Sequence, residues 1–172
     1  RPPISTLFPY TTLFRSATMG ADTLESLEQA QLLPSTKERL SAINTHGLVD
    51  LGTSFLDVTP MTNDRMFADF VDAILSDPGV DCAFVAIVPH IENLKTTDEV
   101  CRDPDAIAPL LVDVVKRHNK PVVVSINSGN HYQELVRVFE ENSLPVYSDI
   151  RSAIKSLDVF TSWHMRNVQC RL

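Results

Sequence analysis

Residues 63–88 read NDRMFADFVDAILSDPGVDCAFVAIV, and a change of period inside this stretch decides the fold. Met66, Phe67, Phe70, Val71, Ile74 and Leu75 recur at spacings of three and four, the apolar stripe of an amphipathic helix over residues 63–75. Asp77-Pro78-Gly79 ends that helix. Residues 82–88 then run apolar without alternation, as does the stretch 121–126. Strands apolar on both faces belong to a sheet covered on both sides, which is the usual condition of parallel sheets.

The same reading extends in both directions. Strands are expected at residues 55–58 and 144–147, and helices at 104–118, 130–141 and 149–164. An opening helix is expected at 17–33, with Met19, Leu24, Leu27, Ala30 and Leu32 or Leu33 on one face and Pro34 as its stop. Alternating helices and strands predict an α/β fold of three layers, a doubly wound parallel sheet.

The start of the chain does not share this grammar. Residues 6–16, Thr-Leu-Phe-Pro-Tyr-Thr-Thr-Leu-Phe-Arg-Ser, are what one reading frame of a widely used DNA sequencing adapter spells. Residues 1–16 are therefore set apart as an adapter-like, disordered or non-native segment. Residues 17–165 form the domain and residues 166–172 a C-terminal tail. A chain of this type should open with a strand, and after the adapter this one opens with a helix, so the first strand is expected to be missing. Its neighbours would then lack backbone partners unless adapter residues fill the gap.

The 172 residues suit one domain. The net charge is −7, and residues 1–16 add two arginines and no acid, so the rest is more acidic still. Such a surface repels polyanions and argues against nucleic acid as a partner. No apolar run approaches the roughly 20 residues of a membrane span, so no membrane association is expected. Cys82, Cys101 and Cys170 are odd in number, widely spaced and without histidines at ligand spacing. They read as free thiols of a reducing cytoplasm, with no metal site.

Open α/β sheets bind ligands beyond the carboxyl ends of their strands, which directs attention to three loops. In residues 57–64, Thr62 or Asn63 can cap the next helix, with Thr59 and Pro60 an earlier start, and the amides there suit a phosphate. Asp64 in the first turn counts against an anion. In the second loop His90 keeps a claim to substrate contact, although no activating neighbour is evident. In the third, Asn127, Ser128, Gly129 and Asn130 form a weak phosphate-loop signal with one glycine, and His131 follows them. His46, His118 and His164 read as solvated, as do Asp69, Asp72 and Asp113. No G-x-S-x-G elbow or cysteine at a helix start offers a nucleophile, so no catalytic residue is assigned.

Several stretches together resemble a known family. Residues 17–22 (ATMGAD), 55–60 (FLDVTP), 67–81 (FADFVDAILSDPGVD), 120–124 (KPVVV) and 144–147 (LPVY) look like the carboxy-side flavodoxin-like domain of NDP-forming acyl-CoA synthetases, the acetate–CoA ligase (ADP-forming) type. The domain is also similar to the end of the succinyl-CoA synthetase β subunit. In that family ATP phosphorylates a histidine, the phosphoryl group passes to a carboxylic acid, and CoA captures the acyl phosphate as a thioester, which is covalent catalysis. The resemblance implies that the helix opening near Thr62 and Asn63 aims its first amides at this phosphohistidine. It also implies a CoA-binding domain carrying the phosphohistidine and an ATP-grasp domain as partners. ATP, Mg2+ and CoA serve the full enzyme, and none is expected to be bound by this fragment.

The departures are informative. No histidine here is followed by threonine, as the family's phosphorylated one is, and the loop after residues 55–58 lacks the glycines of the succinyl-CoA enzyme. The fragment is expected to be inactive alone. The alternatives are a non-catalytic docking domain and a flavodoxin-like nucleotide-binding module.

Overall fold

The structure, a computed structural model, describes residues 4–10, 26–51, 55–127 and 129–169. Six strands make one parallel sheet: β1 (Ile4–Tyr10), β2 (Leu27–Gln29), β3 (Phe55–Asp57), β4 (Cys82–Ile87), β5 (Val122–Ile126) and β6 (Val146–Tyr147). The helices are α1 (Pro34–Ile43), α2 (Asp64–Ser76), α3 (Ile107–His118), α4 (Gln133–Glu141) and α5 (Ile150–Gln169), with a 3-10 turn at Gly129–Tyr132 before α4. Among the described residues no helix is long and apolar enough to cross a membrane.

The sheet is organised around β1. One edge pairs with β4, and the other is shared end to end by β2, through Ile4, Ser5 and Thr6, and by β3, through Phe8, Pro9 and Tyr10. Since β2 and β3 occupy one sheet position, the order by position is β2/β3, β1, β4, β5, β6. That is the flavodoxin-like 2-1-3-4-5 order.

Period-2 alternation in β4 then sorts the core. Ala83, Val85 and Ile87 face α1 to α4 in one cluster with Phe67, Phe70, Leu111 and Phe139. Cys82, Phe84 and Ala86 face the other way, onto Ala153, Ile154 and Leu157 of α5. The fully buried phenylalanines contribute about 1.5–3 kcal/mol each. Cys82 and Cys101 are both buried.

Several expectations are corrected. Residues 4–10, set apart as an adapter-like segment, are the central strand and fill the gap that the expected loss of the first strand would leave. Backbone pairing needs only an extended chain with N–H and C=O groups on both edges, so almost any sequence can fill a vacant parallel slot. Pro9 is the misfit, because it has no N–H and both edges of β1 are paired. Of the helix expected at 17–33, residues 17–25 lie outside the described residues, while 27–29 form β2. There Leu27 joins the α5 side of the core and Ala30 the opposite side, so this segment straddles the sheet instead of showing it one face. Pro34 begins α1 rather than stopping a helix, since a first-turn proline lacks only an N–H that would have no helical partner. The expected tail is helical as far as Gln169, so its boundary falls inside α5.

A chain lacking residues 1–10 would leave β2, β3 and β4 without their shared partner. It is expected to lose the cooperative urea transition seen by circular dichroism. A midpoint equal to that of the full chain would show β1 to be dispensable.

Candidate functional site

The carboxyl ends of β3, β4 and β5 open onto one rim, and two residues there have backbone conformations that side chains disfavour. Thr59 (φ 60°) follows β3 and His90 (φ 76°) follows β4. Each such position costs on the order of 1–3 kcal/mol, and they tend to mark functional loops. The loop at Thr59 is wound on itself. The Thr59 amide donates to Asp57 Oδ1 at 3.0 Å, its carbonyl accepts from the Thr62 amide at 3.3 Å, and its Oγ1 from the Met61 amide at 3.4 Å. Asn93 Nδ2 donates to the Pro60 carbonyl at 2.8 Å, joining the second loop to the first. His90 Nδ1 lies 2.8 Å from the Tyr132 hydroxyl, joining the second to the third.

The candidate residues fare differently. Thr62 is buried and its hydroxyl donates to the Val58 carbonyl, so its side chain is not offered to a ligand. Thr59 is half-buried and its polar groups are spent within the loop. Asn63 is exposed and is the N-cap of α2, its Oδ1 accepting from the Met66 amide at 2.9 Å. His90 is exposed and gains in Tyr132 an orienting neighbour that its sequence surroundings did not disclose. Asn127 is exposed, Gly129 and Asn130 lie in the 3-10 turn, and Ser128 lies outside the described residues.

The opening turn of α2 already holds an anion of its own. Asp64 is buried, and its Oδ1 accepts from the Ile107 amide at 2.7 Å and from the Lys95 amide at 3.1 Å. It thereby caps α3, whose N-cap residue Ala106 has no side chain able to do so. Burial raises the Asp64 carboxyl above its ordinary value, against the lowering effect of those amides. Asp64 also accepts from its own amide, and Asn63 takes those of Met66 and Phe67. Among the described residues this leaves the Arg65 amide as the unspent first-turn donor.

The far end of α2 repeats the device. Asp77 is buried; Oδ2 accepts from the Leu33 amide at 2.8 Å and Oδ1 from the Gly79 amide at 2.8 Å. It thereby ties the C-terminal end of α2 to Leu33, the residue at which α1 begins. Between the two ends, Asp72 takes Arg39 of α1, then Arg117 at 3.1 Å and His118 at 2.8 Å from α3. Asp72 and His118 are thus not the solvated groups expected. For both Asp72 and Asp77 burial acts upward. It is outweighed by hydrogen bonds, from His118 and Arg39 on Asp72 and from Thr36, Leu33 and Gly79 on Asp77, so both carboxyls lie below their ordinary value.

The comparisons with known proteins concern the fold. No protein-family profile and no curated protein matches the sequence. Among solved structures, PH0766 from Pyrococcus horikoshii OT3 superposes with a TM-score of 0.74 at 19% identity, over 87% of this chain and 33% of that one. The dinucleotide forming acetyl-coenzyme A synthetase 1 of Ca. Korarchaeum cryptofilum in its apo form gives 0.70 at 18% identity, over 87% of this chain and 31% of that one. In complex with phosphate and ADP it gives 0.70 at 18%, over 95% and 35%. The chain spans about a third of the length of these structures. It is a parallel α/β domain of the flavodoxin-like class.

Two expected outcomes test the caps. Asp64→Ala leaves the Ile107 and Lys95 amides without their acceptor and should cost about 2–4 kcal/mol in urea unfolding, whereas Asp64→Asn retains an acceptor and should cost much less. Equal tolerance of both would rule out a capping role. The pH dependence carries opposite signs. Asp72 and Asp77 stabilise fully above about pH 3.9, and that contribution is lost as pH falls through their lowered folded values. Asp64 contributes most below that pH and loses its share as pH rises through its raised folded value. The urea midpoint of Asp64→Asn should therefore climb more steeply than that of the parent as pH rises from the ordinary aspartate value through the raised folded one. A shallower climb contradicts the raised value.

Proposed function

We propose that this chain is one domain of an NDP-forming acyl-CoA synthetase, and that the opening turn of α2 meets the phosphohistidine that a neighbouring domain supplies. The observation that carries the reading is the superposition of 87–95% of the chain on part of an acetyl-coenzyme A synthetase. The motif likeness of residues 55–60 and 67–81 supports it independently, because those residues build β3 and α2.

In this reading ATP with Mg2+ and CoA are handled by the ATP-grasp and CoA-binding domains, and the reaction runs in the cytoplasm. This chain provides the Arg65 amide, the exposed Asn63 and the positive end of the α2 dipole. An anion at an exposed helix start gains only about 0.3–1 kcal/mol, and Asp64 already draws on that potential. Such a site cannot hold a free phosphate by itself. It can bias one that the assembly delivers, which fits a domain that works only with its partners.

The test uses the chain joined to phosphohistidine-bearing and ATP-grasp domains. Asn63→Asp keeps a good N-cap but adds a negative charge at the rim. Stability should hold, while acid-labile phosphoenzyme and thioester yield should fall about two- to fivefold, the equivalent of about 0.3–1 kcal/mol. Unchanged phosphoenzyme would remove the α2 role and leave the domain assignment standing. Failure of the parent chain to restore thioester formation to an enzyme lacking this domain would remove the assignment.

A further inference from the structure

We infer that the outer face of α5 is a docking surface for a protein partner whose apolar contact is flanked by carboxylates. Three of the six large apolar residues exposed on the described surface lie here: Val159 (60% exposed), Phe160 (52%) and Trp163 (60%). Lys155, Val159, Trp163 and Arg166 follow one another at spacings of four, four and three, which places them on one helical face. Phe160 stacks on His164, ring centroids 6.5 Å apart. Lys155, Ser156, Val159, Phe160 and Trp163 line a shallow groove of about 440 Å³. Ser156 and Phe160 also border a second groove of about 350 Å³, which continues past Tyr147 and Pro145 to Lys120 beside the edge strand β6. Aromatic side chains on a rigid helix, adjoining grooves, are the anchors that dominate interface energies.

Charge selects the occupant. The exposed arginine and lysine side chains of α5, Arg151, Lys155 and Arg166, are cationic, and its single acid, Asp158, is buried and accepts from the Ser26 hydroxyl. This lies on a chain of net charge −7. A second copy is a poor fit, because two such faces packed antiparallel about Phe160 would set Lys155 against Arg166, and like charges across an interface are costly. An anionic bilayer would attract the cations but repel the acidic remainder of the chain. A protein surface with an apolar centre and an acidic rim satisfies both features. The inference does not depend on the phosphohistidine reading.

Trp163 is the only tryptophan, so its emission reports directly on the face. The full chain is titrated with two amphipathic helical peptides that share a leucine stripe, one flanked by glutamates and the other by lysines. The glutamate peptide should shift the emission to the blue and bind at least about tenfold more tightly. The double variant Lys155→Glu/Arg166→Glu, its fold checked by circular dichroism, should reverse the preference. Equal binding of the two peptides, or of neither, overturns the inference. So does a dimer by light scattering that Phe160→Glu abolishes, which would assign the face to a second copy. Flotation with vesicles of phosphatidylcholine containing a quarter phosphatidylserine would assign it to a membrane and overturn it equally.

Discussion

The helical layer depends on carboxylates that α2 extends into its neighbours. Helices α1 and α3 begin at Leu33 and Ala106, residues with no side-chain acceptor for the first-turn amides. Carboxylates of α2 and its C-cap reach both starts, Asp64 accepting from the first amide of α3 and Asp77 from the Leu33 amide just before α1. Helix starts left bare inside a protein would forfeit about 1 kcal/mol or more each. Asp72, midway along, fixes the lateral positions of the same two helices through Arg39, Arg117 and His118. One amphipathic helix therefore buries Phe67, Phe70 and Ile74 against the sheet and positions both flanking helices with its polar side.

The sheet follows a looser rule. Its middle is held by hydrogen bonds that any extended backbone can make, so Ile4–Tyr10 can occupy the central position although Pro9 is poorly suited to it. The helical layer depends on particular side chains, and the centre of the sheet depends mainly on an available strand.

This contrast explains what the sequence disclosed. The strands at 82–87 and 122–126, with α2 and α3, were legible because burial on both faces and the 3.6-residue period leave strong local signals. Strand β2 was not, because Leu27 and Ala30 serve opposite faces of the sheet and mimic a helical spacing. Pro34 stops one helix or starts another with equal propriety, and only the neighbouring strand decides which. At the site, the cap was legible in Thr62-Asn63, but which of the two caps depends on burial, which removed Thr62. Asp72 fell on a polar helical stripe that looked solvated, Asp64 read only as a first-turn acid and Asp77 only as part of a helix stop. Their partners on other elements lie 31 to 46 residues away in the chain, beyond the reach of any local pattern.

Asp64 also sets the limit on what the rim can do. A buried carboxylate at the start of α2 serves two helix termini at once, and its charge opposes any second anion brought to the same turn. A site meant to capture phosphate alone would leave that turn empty or place a cation there. A site meant to steer a phosphoryl group carried by another domain needs only a weak, well-positioned bias, since tight binding would retain the group that must move on. The strained backbones of Thr59 and His90, braced by Asn93 and Tyr132, fix the shape of the rim without adding charge to it. In the proposed role, shape and a small residual dipole are what this domain contributes, and the chemistry belongs to its partners.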